Sequence, residues 1–263
     1  MDENAENREN LPADYYEAML AANTDNWCDQ YIHNKIGPSL SGQAVFASVF
    51  DHGFHTAEAI EYDATRAIVI GLDTGRNPAA VLGQMDVRGR VCVLGSTYAE
   101  NMGMEKFIIT VLKPWLLEFF PMGRFVCVVD PSGVRKTEIG EESVIKAIQR
   151  LGFLAAPANT NAISPRLRAV ERQLNMQVDG RGALLIDRRY NAMLIRALQH
   201  DYRYKRMKDG DLQETPDKGH PESDLADALQ YLCLGIDSAS VGRALRKGQS
   251  TPTSPSFSAA AWT

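Results

Sequence analysis

The sequence predicts a mixed α/β fold in which an antiparallel three-strand meander is joined by parallel strands and flanked by helices. Two observations predict it. Between residues 67 and 96, three apolar runs follow one another with short, glycine-containing connections, which is typical of a meander. From residue 104 onward, segments with helical spacing of apolar residues alternate with short apolar runs, which is typical of strands that alternate with helices.

The meander is predicted at Ala67–Asp73, Ala79–Asp86 and Arg90–Ser96, where the runs are apolar and bounded by Gly or Pro. A helix is predicted over Met104–Phe120, because its apolar residues recur every three or four positions. Pro114 is expected to kink this helix, since proline cannot donate the backbone hydrogen bond.

The second half of the chain alternates between strands and helices. In order, the predicted elements are strand Arg124–Asp130, helix Glu141–Leu151, strand Phe153–Pro157, helix Ser164–Met176, strand Ala183–Ile186, helix Tyr190–His200, strand Tyr202–Arg206 and helix Glu222–Leu234. This is the element order of a ribonuclease-H-like fold, which carries acidic residues on its first strand, on a central neighbouring strand and on its final helix.

Four regions are predicted. Residues 1–10 are expected to be disordered, and residues 11–65 form a lead-in segment that packs on the core and contains a short strand at Ala44–Phe50. Residues 66–247 form the ribonuclease-H-like domain, and residues 248–263, rich in Ser, Thr, Pro and Ala, form a flexible tail.

The composition excludes several classes of protein. No apolar run approaches the ~20 residues needed to span a bilayer, and the acidic N-terminus is no signal peptide, so we expect a cytoplasmic protein with no membrane partner. The formal net charge of −5 argues against a basic nucleic-acid coat protein, but a nuclease remains open because bound cations offset metal-binding carboxylates. The four cysteines show no Cys-x-x-Cys spacing, which argues against zinc and a disulfide framework.

Acidic residues mark three separate elements. Asp73 and Asp130 each end an apolar strand, and Glu222, Asp224 and Asp227 open the last helix. A buried carboxylate is costly unless its charge is compensated, so their convergence predicts a divalent-metal site. Oxygen ligands favour Mg²⁺ or Mn²⁺, and two such ions ~4 Å apart hydrolyse phosphodiester bonds.

Each acidic residue has an expected role. Asp73 is expected to bridge two ions and Asp130 to bind one. Asp224 and Asp227 share a helix face, and Asp227 is favoured because the apolar residues that follow anchor its turn to the core. Taken singly, Asp130 also fits a Pro-Ser-Gly turn, and Asp224 also fits the start of a helix. The three acidic elements in this order nevertheless favour a metal-binding function for these residues.

Asp73-Thr-Gly also fits the first phosphate turn of an actin-like ATPase. That fold needs a second glycine-rich phosphate turn, which the sequence lacks, and it has no Walker-type loop either. Phosphate-backbone contacts with double-stranded DNA are predicted for basic residues near the acidic elements, each of which also fits an ordinary solvated surface. They are Arg135, Lys136, Arg166, Arg168, Arg188, Arg189, Arg203 and Lys205.

Three segments together resemble a known family. Gly71-Leu-Asp-Thr-Gly resembles the first nuclease motif of tailed-bacteriophage terminase large subunits, Val128-Val-Asp-Pro-Ser-Gly the second, and Glu222-Ser-Asp-Leu-Ala-Asp-Ala-Leu the third. The resemblance spans roughly residues 11–235 and implies a metal-dependent endonuclease that cuts concatemeric viral DNA as a capsid is filled.

By the motif match, the resemblance implies that Asp73, Asp130 and Asp227 bind metal, while Asp224 stands where many relatives carry His or Asp. It also implies a packaging ATPase domain, the portal and the small terminase subunit as partners, in the cytoplasm of an infected bacterial host. Two alternatives stay open. They are another ribonuclease-H-like nuclease, such as a junction resolvase, and a non-catalytic docking module of a packaging motor.

Overall fold

The structure, a computed structural model, describes residues 42–134, 143–207 and 211–236, together with Pro12, Tyr15 and Met19. The predicted disordered N-terminus (1–10), the first part of the lead-in segment and the predicted tail (248–263) lie outside the described residues.

The described strands agree closely with the predicted ones from residue 67 onward. They are β1 (Gln43–Ala44), β2 (Thr56–Ala57), β3 (Ala67–Asp73), β4 (Ala79–Met85), β5 (Val91–Tyr98), β6 (Arg124–Val129), β7 (Leu154–Pro157), β8 (Gln177–Val178), β9 (Arg181–Gly182), β10 (Leu184–Asp187) and β11 (Arg203–Tyr204).

From residue 104 onward, the helices also fall where the apolar periodicity predicts them. They are α1 (His52–His55), α2 (Met104–Phe107), α3 (Lys113–Phe119), α4 (Val144–Arg150), α5 (Ile163–Asn175), α6 (Ala192–Arg196) and α7 (Glu222–Ile236), with π-helical turns at Ile108–Leu112 and Ala197–Asp201 and a 3₁₀ turn at Pro131–Val134. In the described part of the chain, no helix has both the length and the apolar character needed to cross a bilayer.

Seven strands form the main sheet, in the order β2-β10-β5-β4-β3-β6-β7. The β3-β4-β5 meander is antiparallel, and all other neighbouring pairs in this sheet are parallel. The predicted mixed sheet is therefore confirmed. Because β4 alone runs in the opposite direction, the carboxyl ends of β3, β6 and β10 meet at one edge of the sheet, which we call the carboxyl edge.

Side chains alternate between the two faces of the sheet, and each face has its own helices. On β3, Ile68 and Ile70 pack with α2, α3 and α4, whereas Val69 packs with α5 and α7. On β6, Val126 and Val128 likewise face α7. Asp73 and Asp130 continue these alternations, so both point toward the α7 face at the carboxyl edge.

Gly71 allows α7 to pack directly on the backbone of β3. A Cβ at this position would lie 2.1 Å from the carbonyl oxygen of Ala228 and 2.4 Å from the backbone nitrogen of Leu232, far inside van der Waals contact. The contact places the first turns of α7 beyond Gly71, over the end of β3. The position of Asp224 and Asp227 relative to Asp73 therefore depends on the absence of a side chain at residue 71.

The helix that contains Pro114 differs from its prediction. Before the proline, the chain makes a π-helical turn over Ile108–Leu112, and the Lys113 N–H donates to the Ile108 carbonyl oxygen. The kink at Pro114 stays a prediction. Pro114 then occupies the first turn of α3, where no donor is required.

The lead-in segment also differs from its prediction. The strand expected at Ala44–Phe50 is wrong beyond Ala44, because residues 45–49 form turns. These turns bury Phe46, whose ring stacks on Tyr202 with centroids 6.1 Å apart. Further on, β2 pairs with β10 as an edge strand of the main sheet. A hairpin of β8 and β9 was missed, although Asp179-Gly180 is a typical hairpin turn.

We expect Gly71→Ala to lower the free energy of unfolding by about 3 kcal/mol or more, because neither the β3 backbone nor the α7 backbone can yield to the added methyl group. Urea denaturation measures this difference. Gly103→Ala is the matched control, since a Cβ there would meet nothing within 4 Å, and it should cost no more than about 1 kcal/mol. Equal costs for the two variants would contradict the packing described here.

Candidate active site

Asp73 and Asp130 lie side by side at the carboxyl edge. The register of β3 and β6 pairs Leu72 with Val129, one residue before each aspartate. The Asp130 N–H continues the ladder and donates to the Leu72 carbonyl oxygen at 3.2 Å. Since neighbouring strands are ~4.8 Å apart, this register holds the two carboxylates close together.

Helix α7 adds two more carboxylates to this pair. Burial, followed by the negative charges of Asp227, Asp224 and Asp130, raises the pKa of Asp73 to about 7, while the Lys218 ammonium opposes the rise. The four acids predicted from the sequence therefore share one electrostatic environment. We call Asp73, Asp130, Asp224 and Asp227 the acidic cluster.

Asp227 is the most heavily engaged member of the acidic cluster, with a side chain only 5% exposed. Its Oδ1 lies 2.6 Å from Nη2 of Arg166 and also accepts hydrogen bonds from Tyr202 Oη (3.4 Å) and Gln230 Nε2 (3.2 Å). Its Oδ2 accepts from Nζ of Lys218. Both oxygens are thus occupied, and two cations face one negative charge.

Arg166 does not have the surface position expected of a DNA contact. Its side chain is 7% exposed, its guanidinium lies over the Tyr231 ring at 4.5 Å, and it donates to Asn161 Oδ1 at 3.3 Å. A guanidinium in this position acts as the buried counter-ion of Asp227. This placement corrects the predicted role, and the reason is tertiary: Asp227 is 61 residues away in the sequence (227 − 166).

The other three members of the acidic cluster have fewer partners among the described residues. The Asp224 carboxylate meets Nδ1 of His220 at 2.7 and 2.9 Å. Burial raises its pKa, against the hydrogen bond and the charge of His220. Asp130 accepts from the backbone N–H of Ser132 at 2.9 Å and from its hydroxyl at 2.7 Å. No hydrogen bond to the Asp73 carboxylate is found within the described ranges.

Across residues 42–134, 143–207 and 211–236, no three His, Cys, Asp or Glu side chains are oriented so that they hold a metal ion as they stand. The reason is visible in the contacts, because Asp227 is turned to Arg166 and Lys218, and Asp224 to His220. The donor chemistry nevertheless suits a hard divalent cation, since the cluster offers carboxylate oxygens alone. The Lys218 ammonium contacts one of these oxygens, Oδ2 of Asp227.

A fifth acid at the carboxyl edge was missed. Asp187 ends β10 and is 0% exposed. Its carboxylate accepts from the Ile60 N–H at 2.7 Å and from the Arg189 side chain at 2.7 Å, and thereby ties the lead-in segment to the sheet. Three strand spacings, about 14 Å, separate β10 from β3, so Asp187 lies apart from the acidic cluster. An Asp that closes an apolar run and precedes Arg-Arg was the available signal.

The predicted DNA contacts fall into three groups. Arg135 and Lys136 lie outside the described residues. Arg189 is bound to Asp187 and to the Ile60 carbonyl oxygen, and Arg188 donates to Thr56 Oγ1 at 3.0 Å. These two arginines have structural partners but remain exposed at the carboxyl edge.

The third group lies on α5, on β11 and directly after β11. Arg168 is exposed and donates to Ser164 Oγ at 2.9 Å. Lys205 pairs with Asp217 at 2.8 Å, and Arg203 is partly buried on β11. Lys205 and Arg168 therefore retain exposed positive charge on the α5 and α7 side of the sheet.

The sheet order, with acids after β3 and β6 and on the final helix, defines a ribonuclease-H-like fold. More closely, the chain has the fold of phage large-terminase nuclease domains. The large terminase of the thermophilic bacteriophage D6E matches 84% of this chain with a TM-score of 0.55 and 14% identity, and its complex with ADP matches 85% with the same TM-score and identity. The P22 large-terminase nuclease domain matches over its full length and 76% of this chain, with a TM-score of 0.52 and 12% identity.

At such low identity, these likenesses establish the fold. The chain spans about half the length of the D6E large terminase, covering 52% of it. No protein-family model matches the sequence, and no curated protein matches it.

We expect Asp227→Asn to lower the free energy of unfolding by about 3 kcal/mol, because it leaves the buried guanidinium of Arg166 without its countercharge. Asp224→Asn, one helical turn earlier, should cost less than about 1 kcal/mol, because burial already disfavours the charged form of that carboxyl. Urea denaturation of both variants measures the difference. A loss for Asp224→Asn as large as that for Asp227→Asn would contradict the assigned pairing.

Without divalent cations, the free energy of unfolding should fall as the pH rises from about 4 to 8, and Asp73→Asn should remove much of this fall. The folded-state pKa of about 7 exceeds the ordinary value of 3.8, so the folded chain keeps a proton that the unfolded chain releases. This contribution is complete below about pH 4 and is lost as the pH rises through 7.

Urea denaturation in EDTA at several pH values measures the difference between Asp73→Asn and the unmodified chain. The relative stability of the variant should rise with pH, by up to a few kcal/mol. Glu118→Gln, on an exposed position of α3 at the opposite face of the sheet, should leave the pH dependence unchanged. Identical pH profiles for Asp73→Asn and the unmodified chain would contradict the raised pKa.

Proposed function

We propose that this chain is a divalent-metal-dependent endonuclease that cuts double-stranded viral DNA during genome packaging. The observation that carries the proposal is the convergence of carboxylates from β3, β6 and α7 at one sheet edge, on a fold shared with terminase nuclease domains. The raised pKa of Asp73 supports it, since repulsion among the carboxylates is relieved when a cation binds.

In this proposal Asp73, Asp130 and Asp224 hold Mg²⁺ or Mn²⁺. The sequence favoured Asp227 over Asp224 on α7, but both Asp227 oxygens already bond cationic or neutral donors, whereas Asp224 has only His220 among the described residues. Asp227 then acts as a positioning residue for Arg166 and Lys218. A bound divalent ion would supply Lewis acidity that activates water and stabilises the leaving oxygen.

Exposed residues around the acidic cluster determine how DNA would reach it. The carboxyl edge is open to solvent at Gly75-Arg76 and at Ser132, which begin two residues after Asp73 and Asp130. Contacts from exposed basic side chains such as Arg168 and Lys205 to backbone phosphates are independent of base sequence. The cutting we propose is therefore largely nonspecific for sequence.

Delivery of the DNA is assigned to other components. The matched D6E large terminase was solved with ADP, and this chain covers 52% of it. We therefore propose that a packaging ATPase domain, together with the portal and the small terminase subunit, brings DNA to this nuclease in the cytoplasm of an infected bacterial cell.

The test is nicking of supercoiled plasmid in Mn²⁺. The unmodified chain should nick it, EDTA should stop the reaction, and Asp73→Asn should reduce the rate at least 100-fold, because it removes a charged ligand that touches the ion. Glu118→Gln is the control and should cut at the unmodified rate.

Undiminished cutting by Asp73→Asn would count decisively against the site. Cleavage confined to branched DNA would instead indicate a junction resolvase. If the chain neither binds Mn²⁺ by calorimetry nor cuts DNA alone or with an added packaging ATPase, a docking module is the better description.

A further inference from the structure

Lys218 brings an ammonium group into the acidic cluster. Its Nζ contacts Oδ2 of Asp227. Burial and the neighbouring carboxylates raise the pKa of Asp73, burial raises that of Asp224, and the Lys218 charge opposes both rises. The ammonium therefore acts on three members of the cluster at once.

The backbone on both sides of Lys218 is held in place. On one side, the Asp217 N–H donates to the Arg203 carbonyl oxygen at 2.8 Å, and the Asp217 carboxylate pairs with Lys205 at 2.8 Å. On the other side, the Gly219 carbonyl oxygen accepts from the Ser223 N–H at 2.8 Å, at the start of α7. The ammonium thus enters the cluster from a fixed segment, while the side chain stays 60% exposed.

Asp227 does not need Lys218 for its own neutralisation. Arg166 already pairs with its other oxygen at 2.6 Å in a position that is 7% exposed. The second positive charge is therefore available to Asp73 and Asp224, which have no arginine or lysine of their own within hydrogen-bond distance in the described part of the chain.

We propose that Lys218 is a resident cation that takes the place of one of two divalent ions, so that the acidic cluster binds a single ion. This inference rests on the proposed nuclease function. A second ion would have to share the carboxylates of this one cluster, where the Lys218 ammonium already occupies one oxygen of Asp227. A divalent ion placed at that distance from a fixed ammonium would also be repelled by it.

The stoichiometry of Mn²⁺ binding tests the inference. Calorimetry and electron paramagnetic resonance of the full chain should give one Mn²⁺ per chain. Lys218→Met should bind two, with the altered resonance signal of two coupled ions, and should bind the first about tenfold more tightly because a nearby positive charge is gone. Lys218→Arg, which keeps the charge, should bind one.

Lys146→Met is the matched control, since Lys146 is exposed on α4 at the other face of the sheet, and it should also bind one ion. Lys218→Met is expected to fold because Arg166 still pairs with Asp227, and its thermal unfolding midpoint checks this. Lys218→Gln is a second neutral variant with the same expectation of two ions.

Two outcomes overturn the inference, and only the second of them also overturns the proposed nuclease function. Two ions bound by the unmodified chain, with DNA cutting intact, would remove the role of Lys218 and leave the proposed function standing. No ion bound by either the unmodified chain or Lys218→Met, with no Mn²⁺-dependent cutting, would overturn both proposals.

Discussion

The contact between α7 and the backbone of β3 at Gly71 is the constraint on which the rest of this site depends. A helix packed on a strand without an intervening side chain comes closer than ordinary helix–sheet packing allows, and its first turn then lies over the end of the strand. Asp73 and Asp130 reach the same place because β3 and β6 are parallel and in register. The acidic cluster is thus a product of backbone packing, and the carboxylates are held together despite their mutual repulsion.

The positive charges near the acidic cluster are shared unequally among its carboxylates. Asp227 is paired with both Arg166 and Lys218, whereas burial and neighbouring acids raise the pKa of Asp73 without a cation of its own. The buried Arg166–Asp227 pair is a fixed structural unit, since separating either partner would leave a charge in the core. Asp73 is therefore the carboxylate in this cluster whose negative charge still lacks a cationic partner of its own.

Asp187 explains why an aspartate at a strand end is a weak functional signal taken singly. It ends β10 just as Asp73 ends β3, at the same edge of the same sheet. Its charge is met by Arg189, two residues along the chain, and by the Ile60 backbone, so it fastens a loop. Asp73 has no such local partner and instead faces other acids. What distinguishes the two is the neighbours supplied by distant segments.

The sequence by itself determined the order of the main strands and helices from residue 67 onward, the antiparallel meander and the strand-end position of Asp73 and Asp130, because apolar periodicity and Gly or Pro boundaries act over a few residues. The hairpin turn at Asp179-Gly180 is also specified locally, although the predicted elements do not include it. Only the tertiary structure decided that Arg166 is a buried counter-ion, and that both Asp227 oxygens bond donors from other segments while Asp224 meets only His220 among the described residues. Those outcomes depend on contacts between α5, α7 and the Lys218 segment, and no local pattern specifies which charges meet when segments far apart in the chain pack together.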